Sequence, residues 1–423
     1  MMYHSLTNRS IRRTFSEALR EGLAPDRGLY VPEQIPELDW EAMHGMDLAQ
    51  LGAAILAPLV TPAISRDRLE IVLGEALNFP IPLKPIAEEL HMLELFHGPT
   101  AAFKDVGARV MSRLLGETSE ERLTVLVATS GDTGSAVAQG FFNVPNIDVV
   151  ILYPSGRISY IQEQQLTTVG ENVVALEIDG AFDDCQSMVK EAFLDQELQN
   201  MRPLTSANSI NIGRWMPQAI YFAWATMQAG EALNFVVPSG NFGNIAAGVL
   251  AARMGMPARK FVAAVNANDG MAKYLKSGQF TAKTSIQTCS NAMDVGDPSN
   301  RPRLEWLLGP GVESLRQHLS ASGYSDARTL AEMKAHWKRH QSLVCPHTAV
   351  GLCAIADTEM IGPTAVLATA DAAKFGDVVQ QATGEVPAVP HSLQGCLDKK
   401  KSSVRISGKY SALKAYLLDS KID

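Results

Sequence analysis

Short apolar runs recur along the chain, each ending in a turn that carries Gly, Ser or Asp, and each followed by a longer segment with helical spacing. The runs fall at 123–128, 149–153, 172–178, 234–237, 261–265 and 365–368. They are continuously apolar rather than alternating, which predicts strands covered on both faces, as in the parallel sheet of an α/β protein. Helical spacing runs over 105–115, 158–168, 184–194, 212–227, 245–253 and 327–340. Asp105, Asp184 and Asn211 stand where N-caps are expected, each ahead of an amphipathic stretch. Residues 1–80 read differently, with more helix and a turn-rich stretch at 22–36, and are taken as a small separate unit. No internal repeat or low-complexity tract interrupts the pattern, and Lys399–Lys401 reads as a solvated charge run.

A chain of 423 residues exceeds what one hydrophobic core supports, so two or three packed units are expected. The net charge of -8 offers no field for a nucleic-acid backbone, which argues against that class of partner. The five cysteines are scattered without a C-x-x-C pair, which points to reduced thiols, a cytoplasmic setting and no metal centre. No apolar run reaches the length of about 20 residues that a membrane-spanning helix needs. Arg9, Arg12 and Arg13 precede the first acid, Glu17, but without an apolar h-region the amino end reads as an ordinary structured start.

The standard nucleotide, serine-hydrolase and zincin motifs are all missing, which lowers the standing of kinases, nicotinamide dehydrogenases and those hydrolases. What remains is a set of loops. In LFHGPTAAFKD, Lys104 follows a Gly-Pro turn and an apolar Ala-Ala-Phe, surroundings that desolvate an amine and make it nucleophilic toward an aldehyde. Read alone, such a lysine is far more often an exposed one near a helix start, by roughly ten to one. In VVPSGNFGNIAAG, an apolar strand runs through Gly240, Asn241, Phe242, Gly243 and Asn244 into a helix, a cradle for a phosphate or a plain βα turn. TSGDTGS places Thr129, Ser130 and Thr133 where hydroxyls and N–H groups receive an anion, with Asp132 as the odd member, and a plain N-cap loop stays open. SANSINIGR brings together Asn208, Ser209, Asn211 and Arg214, either an anion site or a helix cap beside a surface arginine.

Taken in order, LFHGPTAAFKD, ATSGDTGSAVA, SANSINIGR, VPSGNFGN, SNAMDVGDPSN, PHTAVG and ATADAAKF resemble the threonine synthase family, with GLAPDRGLYVPE near the amino end matching as well. The resemblance covers nearly all of the chain short of its tail. It implies an α/β fold of the fold type II, tryptophan-synthase-β-like pyridoxal-phosphate enzymes, with two α/β domains of parallel-rich sheets and a small N-terminal unit. The implied division is 1–80 for that unit, 81–110 with 225–423 for the large cofactor-binding domain, and 111–224 for a smaller mobile domain. By the same resemblance Lys104 is the Schiff-base lysine and Gly240, Asn241, Phe242, Gly243 and Asn244 hold the phosphate of pyridoxal 5'-phosphate. Asp132 lies near the cofactor's phenolic oxygen and Thr369 meets its pyridine nitrogen. Thr129, Ser130, Thr133, Asn208, Asn211 and Arg214 surround the substrate.

The implied reaction converts O-phospho-L-homoserine and water to L-threonine and phosphate, in a cytoplasmic monomer or homodimer with no nucleic-acid or membrane partner. One departure stands out. The family usually carries His-Pro where this sequence has Asp371-Ala372, which puts substrate fit or cofactor electronics in question. A lyase forming 2-oxobutyrate on the same fold, and a noncatalytic phospho-ligand module, are the competing readings.

Overall fold

The computed structural model describes residues 1–119, 121–358 and 360–419. Three sheets organise them. At the amino end, Met2–Ser5 pairs antiparallel with Arg12–Thr14 on one side and Tyr30–Pro32 on the other. Helix Phe15–Glu21 packs against them, Tyr3 donates to Leu59 O in helix Leu48–Val60, and Arg66–Ala76 packs in turn on that helix; the first two helices open with capping boxes, Thr14 with Glu17 and Asp47 with Gln50. Each such box satisfies backbone donors that would otherwise lack partners and is worth about 1 kcal/mol.

The six-stranded sheet has the spatial order Leu319–Gly323, Ala258–Val265, Leu233–Pro238, Thr364–Ala368, Leu90–Glu94 and Leu83–Ala87, parallel except at the last pair. Its central strands are apolar throughout because both faces are covered. Phe235 and Val237 join Phe222 and Phe261 on one side, while Val236 and Val366 meet Met333, Val350 and Cys353 on the other. The five-stranded sheet is wholly parallel, in the order Val404–Ser407, Val173–Asp179, Ile147–Pro154, Leu123–Ala128 and Leu204–Thr205. Every predicted strand is present, lengthened by a residue or more at several ends.

Three local expectations change and one holds. The helix predicted over 212–227 is broken into Ile212–Trp215, a 3-10 turn Met216–Gln218 and Ala219–Ala229, because Pro217 has no N–H to continue the ladder. Asp105 is no N-cap: the helix Lys104–Thr118 starts one residue earlier, and the Asp105 carboxylate accepts from Thr100 N at 2.9 Å and Thr100 Oγ1 at 2.5 Å. Asp184 sits in the first turn of Phe182–Leu194, where it accepts from Ala181 N at 2.7 Å. Asn211 does cap its helix, accepting from Gly213 N at 2.9 Å.

The tail also departs from expectation. Strand Val404–Ser407 lies in the stretch assigned to the large domain, yet it pairs with Val173–Asp179 of the smaller sheet, and the helix Tyr410–Asp419 lies against Phe182–Leu194. The last residues of that stretch, 420–423, lie outside the described residues. Lys401 is more than a solvated charge: its ammonium meets both Glu163 and Glu177 at 2.6 Å.

Candidate active site

Three of the motif loops leave the carboxyl ends of parallel strands, the place where open α/β sheets gather ligands. Thr129–Gly131 follows Leu123–Ala128, Ser239–Phe242 follows Leu233–Pro238, and Thr369 follows Thr364–Ala368. The Lys104 segment is fastened to the last of these. Ala102 bridges to Ala370, Phe103 N donates to Thr369 O at 2.8 Å, and Ala101 takes a left-handed φ of 54° to make the approach. A non-glycine residue held there costs of order 1–3 kcal/mol, which the surrounding packing must outweigh. Thr369 itself is buried, and its hydroxyl takes no hydrogen bond from the protein among the described residues.

Lys104 opens its helix with a side chain only 14% exposed, and its ammonium lies 4.0 Å from Asp132 Oδ2. Burial pulls its pKa down from 10.5 to about 8; Asp132 opposes the fall, and Lys374 and Arg214 add to it. Asp132 pairs with Lys374 at 2.8 Å through Oδ1, and the same oxygen accepts from Gln162 Nε2 at 2.9 Å. Burial alone would raise this carboxyl, but the two lysines outweigh it and hold Asp132 well below the usual carboxylate range. Lys374 is wholly buried and also donates to Thr100 O at 2.8 Å. This answers the charge puzzle of the TSGDTGS loop: Asp132 faces donors.

Lys374 had drawn no attention in the sequence. A lysine between two alanines and a phenylalanine is the same desolvating signal as at Lys104, and it lies within ATADAAKF. His347 is a second omission, buried against Phe375 with ring centroids 4.7 Å apart. Burial lowers its pKa to about 4, its Nε2 accepts from Ala292 N at 3.2 Å, and its Nδ1 has no partner. Asp371, the departure from the family pattern, accepts from Ala373 N at 2.8 Å and so caps the short turn Ala372–Phe375 that carries Lys374. It also borders a cavity of about 350 Å³ with Glu94, Trp337 and Ser342.

Gly240 to Asn244 form a built turn. A Cβ on Gly240 would lie 2.5 Å from the Met293 Cα, so only glycine fits. Phe242 takes a φ of 60° immediately before the helix Gly243–Arg253, whose first N–H groups have no partner within the helix. Asn241 is gripped on every side: its Nδ2 donates to Ser209 Oγ at 2.7 Å, its Oδ1 accepts from Ser299 N at 2.6 Å, and its carbonyl accepts from Asn300 Nδ2 at 3.0 Å. Asn244 Oδ1 accepts from Tyr221 at 2.6 Å, while its buried Nδ2 has no protein partner.

The candidate substrate residues divide. Arg214 is buried, donates to Ala207 O, and keeps an unpaired Nε; burial lowers its pKa to about 10. Ser130, Thr133 and Asn208 stay partly exposed, with no side-chain hydrogen bond among the described residues. Thr129 is buried and its hydroxyl accepts from Gly131 N at 3.0 Å and Gly134 N at 2.8 Å, a structural turn. Asn211 is the correction: its carboxamide is fully engaged by Gly213 N, Leu19 O and Ser206 O, which makes it a cap and a tie to the amino-terminal unit.

The donor set suits an anionic aldehyde cofactor. A glycine-only turn at a helix N-terminus, an orphan buried amide on Asn244 and a low-pKa amine at Lys104 are parts for holding a phosphate and capturing a carbonyl. Among the described residues no group of three or more His, Cys, Asp or Glu gathers as a metal site.

Residues 80–369 match the family model for pyridoxal-phosphate dependent enzymes, residues 2–77 that for the threonine synthase N terminus, and residues 348–417 that for the threonine synthase C-terminal region. The chain is 40% identical over 415 residues to threonine synthase of Haemophilus influenzae, covering 96% of this chain and 97% of that protein. The crystal structure of threonine synthase from Escherichia coli superimposes with a TM-score of 0.93 at 37% identity over the full length of both chains. That of pyridoxal-phosphate-bound threonine synthase from Brucella melitensis gives 0.92 at 34% identity, over 99% of this chain and 98% of the other.

Proposed function

The chain belongs to the threonine synthase family of pyridoxal-phosphate dependent enzymes, and from that membership we propose that it converts O-phospho-L-homoserine and water to L-threonine and phosphate with Lys104 carrying the cofactor. It is a carbon–oxygen lyase of the fold type II class, and pyridoxal 5'-phosphate is its cofactor. The single observation that supports the residue assignment is the amine of Lys104, shifted to about 8 by burial at the mouth of three strand ends.

When bound, the cofactor supplies an aldehyde for covalent attachment and an electron-withdrawing ring that eases loss of the substrate's α-proton. The chain's own residues do the rest. Gly240, Asn241, Phe242, Gly243 and Asn244 would hold the cofactor phosphate through backbone N–H groups and the free Nδ2 of Asn244. The Thr369 hydroxyl, without a protein partner among the described residues, suits the pyridine nitrogen, and Asp132, fixed by Lys374 and Gln162, suits the phenolic oxygen. Once released from the cofactor, Lys104 Nζ is poised to take one substrate proton and return it at a neighbouring carbon, since its pKa lies near working pH. Arg214, through its unpaired Nε, with Ser130, Thr133 and Asn208, would bind the substrate's carboxylate and phosphate and stabilise the leaving dianion. Thr129 and Asn211 hold these loops in shape, so their contribution is positional.

We further assign the protein to the cytoplasm as a monomer or homodimer; all five cysteines are free, and no helix among the described residues is long and apolar enough to cross a membrane. Residues 111–224 are read as the mobile smaller domain, with the tail strand added to its sheet. The test is borohydride reduction of the coloured enzyme followed by peptide mapping, with product identification by NMR. An adduct on Lys104 and formation of threonine are expected. An adduct on another lysine, or a keto acid without threonine, overturns the assignment.

A further inference from the structure

Arg303 is the largest charged side chain in the core, 0% exposed, and among the described residues no carboxylate pairs with it. Its guanidinium instead meets neutral oxygens drawn from separate parts of the chain: Ser209 O at 2.8 Å, Ile210 O at 2.6 Å, Asn300 Oδ1 at 2.8 Å and Tyr30 O at 3.3 Å. It also stacks on Trp215 at 4.4 Å. A buried cation held only by neutral acceptors stays charged at a cost, and burial lowers its pKa to about 9. Such a charge is stabilised by an anion close at hand.

The path from Arg303 to the phosphate turn is short. Asn300, held by Arg303 through Oδ1, donates from Nδ2 to Asn241 O at 3.0 Å and to Ser209 Oγ at 3.2 Å. Ser209 Oγ also accepts from Asn241 Nδ2. Arg303, Asn300, Ser209 and Asn241 therefore form one closed frame, joining the SANSINIGR and VPSGNFGN segments and, through Tyr30, the amino-terminal unit.

We propose that Arg303 is a positioning residue for phosphate binding: it locks the Gly240–Asn244 turn through Asn300 and supplies the buried positive charge that a phosphomonoester dianion in that turn balances. The proposal rests on the reading that the cofactor's phosphate occupies the turn. Arg303 does not itself touch the phosphate in this scheme; its effect passes through the frame and through the local field.

The experiment measures dissociation constants of the full-length enzyme for pyridoxal 5'-phosphate and for pyridoxal, which lacks the phosphate, in the parent and in Arg303→Gln, Arg303→Lys and Asn300→Ser. The ratio of the two constants isolates the phosphate, because a merely structural defect weakens both ligands alike. The parent should prefer the phosphorylated ligand strongly. Arg303→Gln, which removes the buried charge, should shrink that preference by about tenfold, and Arg303→Lys, which keeps the charge, should shrink it less. Should Arg303→Gln fail to fold, Asn300→Ser, which cuts the link while leaving the charge, is expected to shrink the preference by a few-fold and decides the matter. An unchanged ratio in the folded variants overturns the role of Arg303. A parent that binds both aldehydes equally removes phosphate from the turn, and with it the reading on which the proposal stands.

Discussion

Lys374 and Asp132 form a 2.8 Å ion pair in which neither side chain is more than 5% exposed. The pair joins two loops from different sheets and sets the charge beside Lys104. Removing Asp132 leaves Lys374 buried without its ion-pair partner, and removing Lys374 leaves Asp132 only Lys104, 4.0 Å away, so Lys374→Met and Asp132→Asn should each destabilise the fold, by up to about 3–5 kcal/mol. The double variant should lie nearer the parent than either single one. Urea unfolding midpoints measure this, and strictly additive losses would contradict the pairing.

The low pKa of Lys104 makes a kinetic and a thermodynamic prediction. Capture of an aldehyde needs the neutral amine, so the rate at which the full-length apoenzyme takes up pyridoxal 5'-phosphate should rise with pH through about 8 instead of 10.5. In the unfolded chain the same amine keeps its proton to about 10.5, so between those values the unfolded state binds more protons. This group's contribution to stability therefore improves as pH rises from 8 toward 10.5 and is unfavourable below 8. Lys104→Met should remove that slope from the apoenzyme's stability profile.

Arg214→Ala should raise KM for the phosphorylated substrate by at least about tenfold, the loss of one or two charge-assisted hydrogen bonds. Its unpaired Nε is the atom in question. The absorbance of bound cofactor reports whether the site is still loaded, and it should be unchanged. Parent-like kinetics would withdraw Arg214 from the substrate site.

Lys401 fastens the tail, and its partner Glu177 has its pKa lowered from 4.5 to about 2, first by Lys401 and then by Ser155. A depressed carboxyl contributes stability that is complete above its ordinary pKa and is lost as pH falls toward 2. Lys401→Ala should cost about 1 kcal/mol or less at neutral pH, since the ammonium is partly exposed. It should also flatten the acid limb of the stability curve between pH 4.5 and 2. An acid limb identical to the parent's would show that the pairing has no energetic weight.

The parts readable from sequence were those whose signal is local. The runs at 234–237 and 365–368 are apolar throughout because both faces of the sheet are covered, and Lys104 sits among apolar residues because its amine is desolvated. Lys374 meets Asp132 only through the docking of two sheets, and no spacing along the chain encodes that pairing. Arg214 and Asn211 share one motif, yet one keeps a free donor and the other is fully used by its neighbours, a distinction that depends on Leu19 approaching from a remote segment. Val404–Ser407 escaped notice because it is an exposed edge strand with a charged residue inside, too short and polar to read as core. The break at Pro217 was a local signal and was legible in principle.

That edge strand bears on how the protein is made. Val173–Asp179 emerges from the ribosome long before Val404–Ser407, the strand that covers its free side. Throughout the interval a row of backbone donors and acceptors stands open at the rim of an otherwise finished sheet, the kind of surface that recruits stray chains. Carboxyl-terminal truncations that stop before residue 404 would leave the rim open for good, so loss of yield through aggregation, rather than loss of chemistry, is the defect to look for in them.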